Sequence, residues 1–164
     1  MKVWHYGNDI NTDMLFPGKY TYTCSTAEEI LPHLLEDLDK SFAKEAKKGD
    51  VILAGSNFGC GSSREQPALG LQALGIAAVV AKSFARIFYR AAINQGLLLV
   101  ECPEAVDAFK DGDEVKLDVG AGTITVAGKT CKFPPLPKEI LAISEAGGLL
   151  EYARAKLKRE RAHG

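Results

Sequence analysis

Residues 50–100 read DVILAGSNFGCGSSREQPALGLQALGIAAVVAKSFARIFYRAAINQGLLLV, and this stretch decides the fold class. Three short apolar runs bounded by turn residues are typical of buried strands, and they lie at residues 51–54, 77–80 and 97–100. Helical patterns separate them. The first has Pro67 in its opening turn and stops at Gly75. The order β-α-β-α-β predicts parallel strands joined by right-handed crossovers.

The second helical pattern within this stretch is the stronger one. Its apolar residues recur at the spacing of one helix face, at Phe84, Ile87, Phe88, Ala91 and Ala92. Ser83 is expected to cap its start, and Gly96 is expected to end it.

The flanking segments predict further elements. Residues 2–6 favour a first strand followed by a polar loop, and residues 25–48 favour a helix capped by Ser25 or Thr26 and interrupted early at Pro32. Toward the other end, residues 114–126 alternate on both sides of a glycine-containing turn, which predicts a hairpin. Helices are expected at residues 139–146 and 149–161.

Composition and charge narrow the class of protein. The 164 residues, with 46% hydrophobic residues, predict one globular domain over residues 1–164. A net charge of −1 provides no field that would attract nucleic acid or an anionic membrane. No apolar run approaches the roughly 18 residues of a membrane span, and the first residues lack the pattern of a secretory signal, so a cytoplasmic protein is predicted.

The cysteines do not form a metal-binding pattern. They stand at positions Cys24, Cys60, Cys102 and Cys131, so no C-x-x-C pair is present to hold zinc or an iron-sulfur cluster. We therefore expect no metal bound by this chain, and any metal chemistry would have to come from another protein.

The loop at residues 59–65 carries the groups most suited to chemistry. Its two glycines allow close approach of the backbone to a ligand, and Arg64 offers a planar fork for a carboxylate. A serine hydroxyl surrounded by hydrogen-bond donors can act as a base in its alkoxide form. The loop therefore suits a substrate that bears carboxylates. The alternative is structural, because Ser62-x-x-Glu65 and Ser63-x-x-Gln66 both match the capping box of a helix start.

Several motifs resemble one known family. NFGCGSSRE (57–65), AKSFARIFYR (81–90) and NQGL (94–97) closely resemble the swivel domain of the aconitase superfamily. GNDINTD (7–13), PGKY (17–20) and GGLLEY (147–152) resemble the small subunits of isopropylmalate dehydratases within it. The resemblance implies a three-layer swivelling β/β/α domain, of the α/β class, that closes over a separate large subunit carrying a 4Fe-4S cluster.

The resemblance also implies roles for residues. Ser62 takes the position of the base that removes a proton next to a carboxylate. Asp13 matches an active-site aspartate, and Ser63 and Arg64, with the backbone at Gly61, would bind a substrate carboxylate. The iron of the partner's cluster would act as a Lewis acid on the departing hydroxyl.

The substrate is expected to be read by the loop at residues 19–25. Homoaconitase-like relatives place an arginine there for a third carboxylate, whereas no arginine precedes Arg64 in this chain. An apolar γ-group is therefore favoured, with Tyr22 as the reader and Lys19 and Tyr20 beside it. Because Lys19 can neutralise a carboxylate, 3-isopropylmalate, dimethylmalate and homoaconitate-type substrates all stay open. Two further alternatives are that Tyr20 and Tyr22 only pack on the domain, and that the chain is a non-catalytic interaction module.

Overall fold

The computed structural model describes residues 1–164 as two sheets with surrounding helices. The first sheet has the strand order β1-β2-β3-β4 and is parallel throughout. Its strands are β1 (Val3–His5), β2 (Val51–Ala54), β3 (Ala78–Ala81) and β4 (Leu99–Glu101). The parallel arrangement predicted from residues 50–100 is therefore confirmed.

Eight α-helices accompany the sheets, and none is both long and apolar enough to cross a membrane. They are α1 (Thr12–Leu15), α2 (Ala27–Ile30), α3 (Phe42–Glu45), α4 (Gln66–Leu74), α5 (Arg86–Gln95), α6 (Pro103–Ala108), α7 (Lys138–Ala146) and α8 (Leu149–Ala162). The crossover helices α4 and α5 end at Gly75 and Gly96, whose φ angles of 89° and 81° are left-handed, as the sequence predicts.

The second sheet is antiparallel and consists of β5 (Val115–Asp118), β6 (Thr123–Val126) and β7 (Lys129–Lys132). The predicted hairpin is confirmed as β5 and β6. The sequence analysis missed β7, although Ala127 and Gly128, with φ angles of 47° and 82°, form the kind of two-residue turn that marks a hairpin. It also missed the short helix α6.

Alternate residues of β2 show how three layers form. Val51 and Leu53 are buried in a cluster with residues of the second sheet, and Ile52 and Ala54 are buried in a cluster with the helices. Successive side chains of a strand point to opposite faces, so an apolar run on a central strand supplies both cores. The β/β/α arrangement predicted from the family resemblance is confirmed.

The helix predicted over residues 25–48 is wrong in its extent. Thr26 does cap α2 with a complete capping box, but a 3-10 turn follows at Leu31–His33, and the chain does not become helical again until α3. Leu34 and Leu35 explain the break. Both are fully buried, and Leu35 has a φ of 56° and donates its backbone N–H to Leu15 O at 2.9 Å. Core packing of two consecutive leucines requires non-helical backbone here.

The start of α5 also differs from the prediction. The helix begins at Arg86, and Ser83 does not cap it. Ser83 Oγ instead accepts the backbone N–H of Asn57 at 2.8 Å, because the segment before α5 pairs with the loop after β2. Of the predicted apolar face, Phe88 and Ala92 are buried, whereas Ile87 is 58% exposed.

Candidate active site

Two loops meet at the carboxyl edge of the parallel sheet, one following β1 and the other following β2. Gly59 donates its N–H to Ile10 O at 2.7 Å, and Thr12 donates its N–H to Cys60 O at 2.8 Å. Because β1 and β2 are parallel neighbours, the loops that leave their ends emerge side by side. The opening motif and the Ser-Ser-Arg-Glu run, about 50 residues apart in the chain, are thereby joined.

Ser62 lies exposed in the second loop, and its Oγ is 3.3 Å from the hydroxyl oxygen of Thr12. Gly61 makes this approach possible, since its φ is 104° and a Cβ there would lie 3.2 Å from Thr12 Oγ1. The capping-box alternative is wrong. The residue at the cap of α4 is Glu65, and no side chain donates or accepts a capping hydrogen bond there. The hydroxyl of Ser62 therefore does not serve as a helix cap.

Arg64 is anchored rather than free. Its Nη1 donates to Thr21 Oγ1 at 3.1 Å, and its Nη2 donates to Asp13 Oδ1 and to Phe16 O, both at 2.8 Å. The side chain is 11% exposed, and its Nε is buried without a partner. The guanidinium thus already binds one carboxylate and retains a donor that has nothing to bind within the chain.

Lys19 and Tyr20 turn away from this cluster. Lys19 Nζ lies 3.2 Å from Glu36 Oε1, and Tyr20 donates its hydroxyl to the same oxygen at 3.2 Å. The ring of Tyr20 stacks on His33 with 3.8 Å between centroids, so this tyrosine packs on the domain. Hydrogen bonds from His33, then from Lys19, hold the pKa of Glu36 below its usual value.

Tyr22 is fully exposed. Unlike Lys19 and Tyr20, it has no partner on the domain surface, since no hydrogen bond or ring contact engages its side chain. The structure therefore brings Gly61, Ser62, Arg64 and Asp13 together, leaves Ser63 and Tyr22 open to solvent, and does not bring Lys19 or Tyr20 to the site.

Two polar residues of this cluster were missed by the sequence reasoning, Thr12 and Thr21. Thr12 contacts Ser62, and Thr21 contacts Arg64 through its hydroxyl and Gln66 through its carbonyl. Thr12 stands inside the opening motif, directly before Asp13, and this position is the only sequence feature that could have indicated a place at the site. Thr21 carries no signal of its own in the sequence.

The cysteines do not come together in space to form a cluster site. All four are free, and Cys24 belongs to the helix-side core whereas Cys102 and Cys131 belong to the core between the sheets. No three His, Cys, Asp or Glu side chains lie close enough together to hold a metal ion. The donor set of this chain does not fit a 4Fe-4S cluster.

Comparison with known proteins shows the family to which the chain belongs. The family profile described as "Aconitase C-terminal domain" matches residues 9–105. The 3-isopropylmalate dehydratase small subunit of Caldicellulosiruptor bescii is 48% identical over 161 residues, which cover 97% of this chain and 96% of that protein. This chain belongs to that small-subunit family.

Further relatives support the membership. The 3-isopropylmalate dehydratase small subunit 1 of Archaeoglobus fulgidus is 49% identical over 96% of this chain and 98% of its own length. A crystal structure of 3-isopropylmalate dehydratase (leuD) from Methanocaldococcus jannaschii superposes with a TM-score of 0.89 at 40% identity, covering 99% of this chain and 97% of that one. The predicted family, fold class and assignment to the lyases are confirmed.

Proposed function

We propose that residues 1–164 act as one domain, the small subunit of a hydro-lyase that interconverts 2-isopropylmalate and 3-isopropylmalate through 2-isopropylmaleate. The reaction would serve leucine biosynthesis in the cytoplasm. The names of the relatives support the substrate class. The observation on this chain that carries the proposal is the 2.8 Å contact between Asp13 Oδ1 and Arg64 Nη2, which joins the two motifs in one site.

Ser62 is proposed as the base. Its oxygen, as an alkoxide, would take the proton from the carbon next to a substrate carboxylate, while a general acid of the completed site protonates the hydroxyl on the neighbouring carbon. The hydroxyl leaves as water, and a double bond forms between the two carbons. Water then adds back with its hydroxyl on the other carbon and its remaining proton on the general acid, and Ser62 returns its proton to the carbon that lost the hydroxyl. The exposed position of Ser62 Oγ at the end of the loop supports this role, because the oxygen can reach a substrate.

Arg64 is proposed to bind a substrate carboxylate, with Ser63 and the backbone at Gly61 beside it. Asp13 supports this role, because its carboxylate is 67% exposed and already lies at Nη2 as a substrate carboxylate would. Asp13 would hold the guanidinium in place until substrate arrives and would then give up its position at Nη2 to the substrate carboxylate. Binding by a fixed guanidinium orients the carbon from which the proton is lost.

A large subunit is proposed to complete the site. Ser62 and Ser63 are open to water, and covering a site strengthens the interactions that stabilise charge during proton removal, so we expect a second protein surface over this edge. We assign the 4Fe-4S cluster to that large subunit, where it would supply a Lewis acid. The scattered cysteines of this chain agree with the assignment.

Engagement of Lys19 favours a dicarboxylate with an apolar γ-group over a tricarboxylate. Its ammonium group pairs with Glu36, which raises the pKa of Lys19 and leaves the loop without a free cation for a third carboxylate. Tyr22 remains as the exposed reader of the γ-group. Isopropylmalate is therefore proposed first, and dimethylmalate and homoaconitate are the substrates to compare with it.

The test is to reconstitute the Ser62→Ala variant with the large subunit under anaerobic conditions. Turnover is then measured from the absorbance of the alkene that dehydration forms. We expect normal assembly and a loss of kcat by about 10³-fold or more, with Ser144→Ala as control. Ser144 also loses one hydrogen bond, to Gly96 O, but lies on α7. Turnover near the unmodified level in Ser62→Ala would refute the base assignment. If the complex with the unmodified chain assembles but turns over none of the three substrates, the chain is better described as a non-catalytic module.

A further inference from the structure

Thr12 is the buried polar side chain at the site, and nothing in the proposed chemistry yet uses it. Only 2% of the residue is exposed, although it lies at the surface edge where the two loops meet. Its backbone is fixed on both sides, since its N–H donates to Cys60 O at 2.8 Å and its carbonyl accepts from Phe16 N at 2.9 Å. The position of its hydroxyl is therefore set by the fold.

The hydroxyl of Thr12 has one hydrogen-bond partner in the chain, Ser62 Oγ at 3.3 Å. Buried hydroxyl groups are nearly always hydrogen-bonded, and the contact with Ser62 satisfies the hydroxyl of Thr12. The distance is longer than the usual 2.7–2.8 Å between two hydroxyl oxygens, and contacts of this kind shorten when one oxygen becomes negative. An alkoxide at Ser62 can only accept, so Thr12 must then be the donor.

We propose that Thr12 is a positioning residue for the base: its hydroxyl donates to Ser62 Oγ, orients that oxygen and stabilises its deprotonated form. The inference rests on the proposed role of Ser62. The nearest charged side chains along the chain on either side of this pair, Asp13 after Thr12 and Arg64 two residues after Ser62, bind each other. Thr12 is thus the side-chain donor that the structure places on the serine oxygen.

Thr12 and Ser62 can approach each other because the residue before the serine is Gly61. Gly61 has no Cβ, and one added there would lie 3.2 Å from Thr12 Oγ1, so a side chain at position 61 would crowd the hydroxyl. The glycine therefore leaves room for Thr12 to approach the serine. Removing the hydroxyl without changing the shape of residue 12 is the direct way to separate this role from packing.

The experiment uses the reconstituted complex and the variants Thr12→Val, which keeps the shape, and Thr12→Ser, which keeps the hydroxyl. For Thr12→Val we expect kcat to fall by about 10- to 100-fold with KM within about twofold, because a hydrogen bond to a charged group is lost. Loss of a donor destabilises the alkoxide, so the acidic limb of the kcat profile should move upward by about 1 pH unit or more. Thr12→Ser should restore both.

The matched control is Thr125→Val, which removes a threonine hydroxyl bonded to Thr130 Oγ1 at 2.9 Å in the second sheet and should leave kcat and its pH profile unchanged. If Thr12→Val keeps the unmodified pH profile, or if Thr12→Ser shifts it equally, the proposal is overturned. Thr12→Ala replaces Thr12→Val if the latter does not assemble. Turnover by Ser62→Ala would instead show that the base assignment has failed.

Discussion

The two loops of the site are held in different ways. The loop after β2 is tied to the core: Phe58 is fully buried against Phe84 and Phe88, and Gly59 and Cys60 bond to the backbone of the segment after β1, at residues 10–12. The loop at residues 18–25 is held mainly by polar contacts: Lys19 and Tyr20 bond to Glu36 in a partly exposed cluster, and Arg64 donates to Thr21. The group proposed for chemistry stands on the loop after β2, the inner loop, and the fully exposed proposed reader stands on residues 18–25, the outer loop.

Phe58→Ala should produce the largest effect, because it removes the buried side chain that anchors the inner loop. Loss of a fully buried aromatic ring costs about 3–5 kcal/mol of unfolding free energy. Tyr20→Ala, which truncates a half-buried ring of the other loop, is the comparison and should cost clearly less. Denaturant unfolding of both variants measures the difference. Equal losses would show that the two loops are held equally.

Arg64→Lys should come next and should act on both loops at once. Lysine has no planar fork and cannot reach Thr21, Asp13 and Phe16 together, so substrate orientation is lost. We expect kcat/KM to fall by about 100-fold in the reconstituted complex. Arg154→Lys, the same substitution at an exposed residue of α8 that pairs with Glu151, serves as control and should retain activity. A small effect of Arg64→Lys would show that charge alone suffices.

Tyr22→Arg tests whether the outer loop reads the substrate. An arginine at this exposed position would offer a partner for a third carboxylate, so turnover of homoaconitate relative to isopropylmalate should rise by about tenfold. Thr23→Arg, at the neighbouring exposed position, is the matched control. If the two variants show the same ratio of turnover, the reader position is wrongly assigned.

Glu36→Gln should have the smallest effect on activity and act on the outer loop only. The pKa of Glu36 is lower in the folded protein than in the unfolded chain. The stability that its carboxylate gives the outer loop is therefore fully present above the unfolded pKa of about 4.3 and is lost as pH falls through the lower folded pKa. Amide exchange at residues 18–24, corrected for its intrinsic pH dependence, should therefore rise as pH falls below the unfolded pKa and through the lower folded pKa. In Glu36→Gln, amide exchange at residues 18–24 should already be raised at neutral pH, whereas exchange at residues 58–61 should be unchanged. Unchanged exchange at residues 18–24 would mean that Glu36 does not hold this loop.

Much of the fold could be predicted from local patterns. Apolar runs bounded by turn residues located three strands of the parallel sheet, and Gly75 and Gly96 marked helix ends because glycine enters the left-handed conformation at little cost. The motifs around Asp13 and Ser62 were also found. Patterns of 10 to 20 residues carry this information, since strand alternation and helix capping act within that range.

The sequence by itself determined the β-α-β-α-β order of residues 50–100, the family and the candidate groups for chemistry. Tertiary structure decided which of them meet. Leu34 and Leu35 broke the predicted helix because both enter the core, Lys19 and Tyr20 turned to Glu36, and Ser62 took Thr12 as partner instead of capping α4. Each of these outcomes depends on a contact between distant parts of the chain, and such contacts exist only once the parallel sheet has set neighbouring loops side by side.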